Sequence, residues 1–216
     1  MGVTRKILNW YARIGPSHGK KLPPYEHVVQ IGDPMLRKAS EPVAVDKIKS
    51  EEIQKLIKKL KYVLDKYGSV GMSAPQIGVN KRIFVMRQTA LQIASIPKES
   101  VKTRGITVVP FSVFINPTLK VIDYSKVTLS EGCESVQGYT AEVARYKEVE
   151  ITALNAEGDS TSTKYKDWAA RIAQHEMEHL DGKLYTDIMD RKSLQCIFWE
   201  EVNLAKGKLA IPFYPD

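Results

Sequence analysis

Gln174-His175-Glu176-Met177-Glu178-His179 is the stretch on which the reading of this chain turns. It holds H-E-x-x-H within a run of helix-forming residues that starts near Lys166 and ends at about Leu180. Four residues on a helix are about one turn, so His175 and His179 face the same way and can share one metal ion. Glu176 stands beside them, within reach of a water that such a metal would activate. A divalent metal lowers the pKa of water toward neutrality, and a carboxylate at that place takes and returns the proton. The competing explanation is packing, because Trp168, Ile172 and His175 recur on one helical face and would suit a core as well as a pocket wall. Asp181-Gly182 supplies the stop, with a glycine suited to a left-handed cap.

A catalytic metal site of this kind has three protein ligands and one open position. The chain has two cysteines. Cys133 sits in Glu131-Gly132-Cys133-Glu134-Ser135 after a β-like run, where Gly132 lets the backbone approach closely; it completes a Cys-His-His set. Cys196 lies among Leu194, Ile197 and Phe198 in the expected last helix and reads as a core or near-core cysteine. Two thiols make no disulfide framework, which points to a reducing compartment. A third segment of small residues, Ser69-Val70-Gly71-Met72-Ser73-Ala74-Pro75-Gln76-Ile77-Gly78, lacks the Gly-Lys-Ser/Thr ending of a phosphate loop. It offers the side-chain amide of Gln76 and the unshielded backbone of Gly71.

Outside these segments the pattern is mixed. Ile53, Leu56, Ile57, Leu60, Val63 and Leu64 predict an amphipathic helix from Ser50 to Lys66 with Ser50 as its N-cap. Arg82 to Arg87 is a short β-like run, and residues 88–110 form a poorly patterned surface excursion. Ser112 to Ile115, a turn at Asn116-Pro117, and Leu119 to Tyr124 predict strand, turn, strand. Lys147 to Leu154 and Ser160 to Tyr165 predict a hairpin around Asn155 to Gly158. A last helix is expected from Arg191 to Ala205, burying Leu194, Ile197, Phe198 and Val202. Helix, many strands, helix, helix is α+β: mixed or antiparallel sheets around a central H-E-x-x-H helix, flanked by an N-terminal and a C-terminal helix.

The 216 residues suit one domain, expected over 25–216. No apolar run approaches the ~20 residues of a membrane span. Net charge is +7, but five of the 32 basic residues precede Glu26, where there is no acid; the rest of the chain carries 27 against 25 acidic residues. The near-neutral body gives little support to specific nucleic-acid binding. Residues 1–24 are basic, acid-free and amphipathic, with Ile7, Leu8, Tyr11 and Ile14 at helical spacing, followed by a linker with Pro23 and Pro24. That is the pattern of an organellar transit peptide. Met1-Gly2 does not make a myristoylation signal, because Lys6 stands where Ser or Thr is required.

The three segments, in this order, resemble the motifs of peptide deformylases: G-x-G-[LM]-[AS]-A-x-Q, E-G-C-[LE]-S and Q-H-E-x-D-H. The resemblance runs from about Tyr25 to Met189 and takes in Gly32-Asp33-Pro34, Phe114-Ile115-Asn116-Pro117 and Gly182-Lys183-Leu184-Tyr185. It implies an enzyme that hydrolyses the linear amide between a formyl group and the first methionine of new polypeptides. It also implies that Cys133, His175 and His179 bind one divalent metal, usually Fe2+ with Zn2+, Co2+ or Ni2+ as substitutes. Ligand type alone suggests zinc. By the same resemblance Glu176 is the general base and acid, and Gln76 with the backbone N–H of Glu134 holds the oxyanion. Gly71 pairs with the substrate backbone, Glu131 and Arg145 form a supporting ion pair, and Val70, Trp168 and Ile172 line the methionine pocket. The partner is an N-formylmethionyl polypeptide, with transient ribosome contact as a further expectation, and Glu134 resembles the mitochondrial branch in animals, which agrees with the leader and implies the mitochondrial matrix. Ser69, Glu134 and Glu178 depart from the commonest residues; a carboxylate at Glu134 disfavours added negative charge and predicts slower turnover than leucine. Two other readings are another H-E-x-x-H zinc peptidase, whose third ligand usually lies downstream, and a non-catalytic ribosome-docking protein that retains the fold.

Overall fold

The computed structural model describes residues 22–215, so most of the leader expected over 1–24 lies outside the described residues. Helix α1 (Glu51–Tyr67) begins where Ser50 Oγ accepts the N–H of Ile53, and ends at Gly68, whose positive φ lets its N–H reach back to Leu64 and Asp65. The six apolar positions read from the periodicity are its six buried residues.

One antiparallel sheet runs in the order β1 (Gly71–Ser73), β2 (Ile83–Gln88), β3 (Val109–Gly132), β4 (Tyr139–Leu154) and β5 (Ser160–Lys166), with β6 (Gln195–Cys196) paired to β4. Helix α1 covers one face. Its core residues pack with Met72, Ile77, Ile83, Val85 and Ile115. On the other face Phe84, Met86, Phe114, Val149 and Ile151 meet the helix Asp167–Leu180. Alternate residues of β2 therefore go to opposite cores, which is why Ile83-Phe84-Val85-Met86 is apolar at every position rather than at every second one. The second helix approaches the sheet closely through Ala169, Ala170 and Ala173.

The α+β expectation holds, while three local expectations change. Asn116-Pro117 is not a turn between two strands but a bulge inside the long β3. Pairing with β4 slips between Ile115 and Thr118, Asn116 takes φ 51°, and its side-chain amide binds both the N–H and the carbonyl of Val43 at 2.8 and 2.7 Å. The excursion after β2 contains two short helices, α2 (Ala90–Ala94), capped reciprocally by Thr89 and Gln92, and α3 (Lys98–Arg104). The Asp167–Leu180 helix is thus α4.

The expected C-terminal helix over 191–205 is mostly absent. Arg191–Ser193 is a 3-10 turn capped by Asp190, Gln195 and Cys196 join the sheet, and only Trp199–Leu204 is helical (α5). Leu194 and Ile197 are exposed, Phe198 and Val202 half-buried. Here ladder pairing with Tyr139 and Thr140 outcompetes helix propensity, and Cys196 is a half-buried residue of a strand rather than of a helix. Among the described residues no helix is long and apolar enough to cross a membrane.

Candidate metal centre and its cavity

Cys133 closes β3 and His175 and His179 stand on α4. Their ligating atoms lie within 4.8 Å of one another. Cys133 Sγ is 3.3 Å from His179 Nε2, which is 3.1 Å from His175 Nε2. Two imidazole nitrogens and a sulfur thus converge on one point, and the chemistry of that donor set fits a single divalent ion. His175 is aimed by its other nitrogen, with Nδ1 2.6 Å from Glu131 Oε1, a carboxylate that fixes ring and tautomer. The N–H of Ser135 donates to Cys133 Sγ at 3.3 Å.

Glu131 is almost fully buried and serves three cationic or donor partners. Arg145 grips it with two nitrogens, at 2.6 and 3.1 Å, Arg171 adds a bond at 2.9 Å, and His175 the fourth. Burial pushes its carboxyl up, but the bonds from His175 and Arg145 outweigh that and hold it well below the ordinary range. Arg145 also reaches Glu178, so the longer side chain at that position finds the same guanidinium. Burial draws His175 down, yet the Cys133 sulfur and Glu131 hold it above its usual value; His179 is held below by burial and by its neighbour His175.

Glu176 is buried, and burial raises its carboxyl to about 7, against opposing effects of His175 and the Ser73 hydroxyl. One of its oxygens, Oε2, has no hydrogen-bond partner among the described residues. Gly71 on β1 packs directly against this side chain. A Cβ there would overlap Glu176 Oε1 and lie 2.8 Å from its Cδ, so the glycine is required by the glutamate as well as being free to meet a ligand. Gln76, only 2% exposed, has its Oε1 bound by the N–H and hydroxyl of Ser73 at 2.9 Å each. That turns Nε2 toward Cys133 Sγ (3.7 Å) and Ser135 Oγ (3.4 Å).

A cavity of about 550 Å³ opens over this centre. Val70, Gly71, Gln76, Glu131, Cys133, Glu134, Trp168, Ile172, His175 and Glu176 all border it, while His179 and Arg145 lie buried beneath. Every residue proposed from the motifs is therefore brought to one place. Trp168 is half-buried on the cavity wall rather than in the core.

Two features were not foreseen. Arg171 is a charged residue on the buried face of α4, and such a residue needs an anion; that need was readable in the sequence, and the structure supplies Glu131. The second is that Ser69 Oγ donates to Glu134 Oε1 at 2.8 Å, so two of the three departures from the common motifs are partners across the cavity. Ser69 has no positive φ, so the missing glycine imposes no strain there. Burial raises the Glu134 carboxyl and the Ser69 hydroxyl only partly offsets this.

Comparison with known proteins agrees with this geometry. The sequence profile described as polypeptide deformylase matches residues 25–195. The mitochondrial peptide deformylase of Homo sapiens is 38% identical over 185 residues, 86% of this chain and 76% of that protein. Peptide deformylase 1A of Arabidopsis thaliana, named as chloroplastic/mitochondrial, is 37% identical over 194 residues, 90% of this chain and 72% of that one. The crystal structure of peptide deformylase from Thermotoga maritima superposes with a TM-score of 0.63 at 29% identity, covering 77% of this chain and 98% of its own. The chain belongs to the polypeptide deformylase family, whose members use a divalent metal to remove the formyl group from the start of new polypeptides.

Proposed function

We propose that Cys133, His175 and His179 hold one divalent metal ion and that Glu176 moves the proton in hydrolysis of the N-formyl amide. The observation that carries this is the convergence of three ligand atoms within 4.8 Å beside a buried carboxyl raised to about 7. When bound, the metal supplies Lewis-acid activation of water and of the formyl carbonyl. The family resemblance favours Fe2+, with Zn2+, Co2+ or Ni2+ as substitutes. Glu176 accepts a proton from the attacking water and returns it to the departing amine nitrogen, and a carboxyl poised near neutrality suits both tasks. Gln76 Nε2 and the backbone N–H of Glu134 donate to the oxygen on which charge develops. Glu131 and Arg145 keep His175 in place.

The substrate backbone lies along Gly71. β1 is the first strand of the sheet and among the described residues pairs only with β2, which leaves its outer edge to receive an extended peptide. Val70, Trp168 and Ile172 form the methionine pocket. The upstream Cys133, 3.3 Å from His179, supports this reading over a zinc peptidase with a downstream ligand. Residues 1–24 act as a transit peptide, followed by one catalytic domain over 25–216, and the enzyme works in the mitochondrial matrix. A mitochondrial relative and the acid-free basic leader support that location. Transient ribosome contact fits a substrate that is a nascent chain.

The test is formate release from formyl-Met-Ala-Ser by protein purified without oxygen and loaded with Fe2+, beside Glu176→Ala. Release that drops at least a thousandfold in the variant, with metal content unchanged, is the expected result. Equal release from both proteins would remove Glu176 from the mechanism.

A further inference from the structure

The cavity reaches beyond the groups used so far, and its far end is polar. Trp168, Ile172 and His175 share a face of α4, and the seven helical steps from His175 back to Trp168 span about 10 Å. A first residue with its formyl end at His175 and its backbone beside Gly71 sends its side chain along Ile172 to the ring of Trp168. At that end stands Arg104 from α3, and Ser130 from β3 borders the same cavity. The Arg104 guanidinium lies 5.2 Å from the centre of the Trp168 ring.

Among the described residues neither the Arg104 guanidinium nor the Ser130 hydroxyl has a hydrogen bond or ion pair. Asp167, which packs against Gly105, makes no ion pair with Arg104. The other cation there, Arg171, is spent on Glu131 and on the carbonyls of Val143 and Val127. An aromatic wall thus leads to a half-buried positive charge with no acceptor of its own. A thioether uses the wall and leaves the donors unanswered.

We propose that Arg104 is a specificity-determining group that lets this enzyme deformylate chains beginning with formyl-methionine sulfoxide. The sulfoxide has the length of methionine and a terminal oxygen that accepts a hydrogen bond strongly, which a charged donor rewards. An all-apolar pocket would instead strip that oxygen of water and reject it. The reaction is unchanged. Water adds to the formyl carbon, the C–N bond breaks, formate leaves and the amine takes the proton, while the sulfoxide is neither oxidised nor reduced.

The inference rests on the pocket assignment above, and its test keeps the two apart. Formate release is measured on formyl-Met-Ala-Ser, its sulfoxide and the norleucine analogue, with the metal-loaded parent, Arg104→Met and Arg104→Lys. The parent is expected to use the sulfoxide within about fivefold of methionine. Arg104→Met loses tenfold or more of kcat/KM on the sulfoxide, mainly through KM, and less than threefold on the other two, while Arg104→Lys recovers part of the loss. Hundredfold rejection of the sulfoxide by the parent, or an equal loss on all three peptides in Arg104→Met, overturns the proposal. No formate from any peptide brings down the site assignment itself, and this proposal with it.

Discussion

Glu131 carries more of the site than any ligand does, because one buried carboxylate answers Arg145, Arg171 and His175 together. Glu131→Gln removes the anion that these three donors share. We expect a loss of about 3–5 kcal/mol in urea unfolding and a metal affinity down by about 10–100-fold on titration. Unfolding free energies matching the parent would mean that the guanidinium groups find other partners. Gly71→Ala tests a different contact. The added methyl must displace Glu176, so kcat falls by about a hundredfold while the unfolding midpoint moves little. At Glu134, replacement by Leu removes a carboxyl beside the developing negative charge. kcat/KM on a formyl peptide should rise by about threefold, a small gain because burial already discourages ionisation there. At this scale the H-E-x-x-H spacing made His175, His179 and Glu176 legible and the setting of Cys133 made it a candidate third ligand, whereas the Gln76 role and the Glu131–Arg145 pair came from the family resemblance. The Ser69–Glu134 bond was not, because nothing local links residues 65 positions apart.

Elements were legible where one physical signal dominated. Helix α1 declared itself by six apolar residues on one face and a serine cap, and α4 by its motif and its Asp181-Gly182 stop. The failures lie where two signals competed. Asn116-Pro117 carries turn chemistry, yet the Asn116 amide anchors to Val43 and β3 continues beyond it. The apolar spacing near the C-terminus suggested a helix, but Leu194 and Ile197 stay exposed, and Gln195 and Cys196 take the ladder partners that β4 offers. Helix α1 also separates stability from chemistry. Leu60 is fully buried in the core on the face of the sheet away from α4, so Leu60→Ala should cost about 2–5 kcal/mol of stability and leave formate release per folded molecule within twofold.

Across the whole molecule, the ligands join parts distant in sequence: the end of β3 and the length of α4, 42 residues apart at the least (Cys133 to His175). A metal that binds only the folded arrangement stabilises it by mass action, about 2.7 kcal/mol at a hundredfold excess over Kd. Chelation should therefore lower the Tm, and readdition should restore it in a concentration-dependent way. A Tm indifferent to chelator would argue that the centre binds no metal tightly. The overall α+β class followed from element order, whereas the sharing of β2 between two cores did not, since a continuous apolar run is equally consistent with a buried helix segment.

That run has a consequence for the chain before it folds. Ile83-Phe84-Val85-Met86 is short, uncharged and rich in β-formers, the profile of a segment that sticks to its own copies. Arg82 and Arg87 stand at its two ends. In the folded protein they are engaged by Asp181 and Asp65. In the unfolded chain the same two charges act as gatekeepers against self-association, so neutralising both should raise the insoluble fraction during expression even where the native structure tolerates the change.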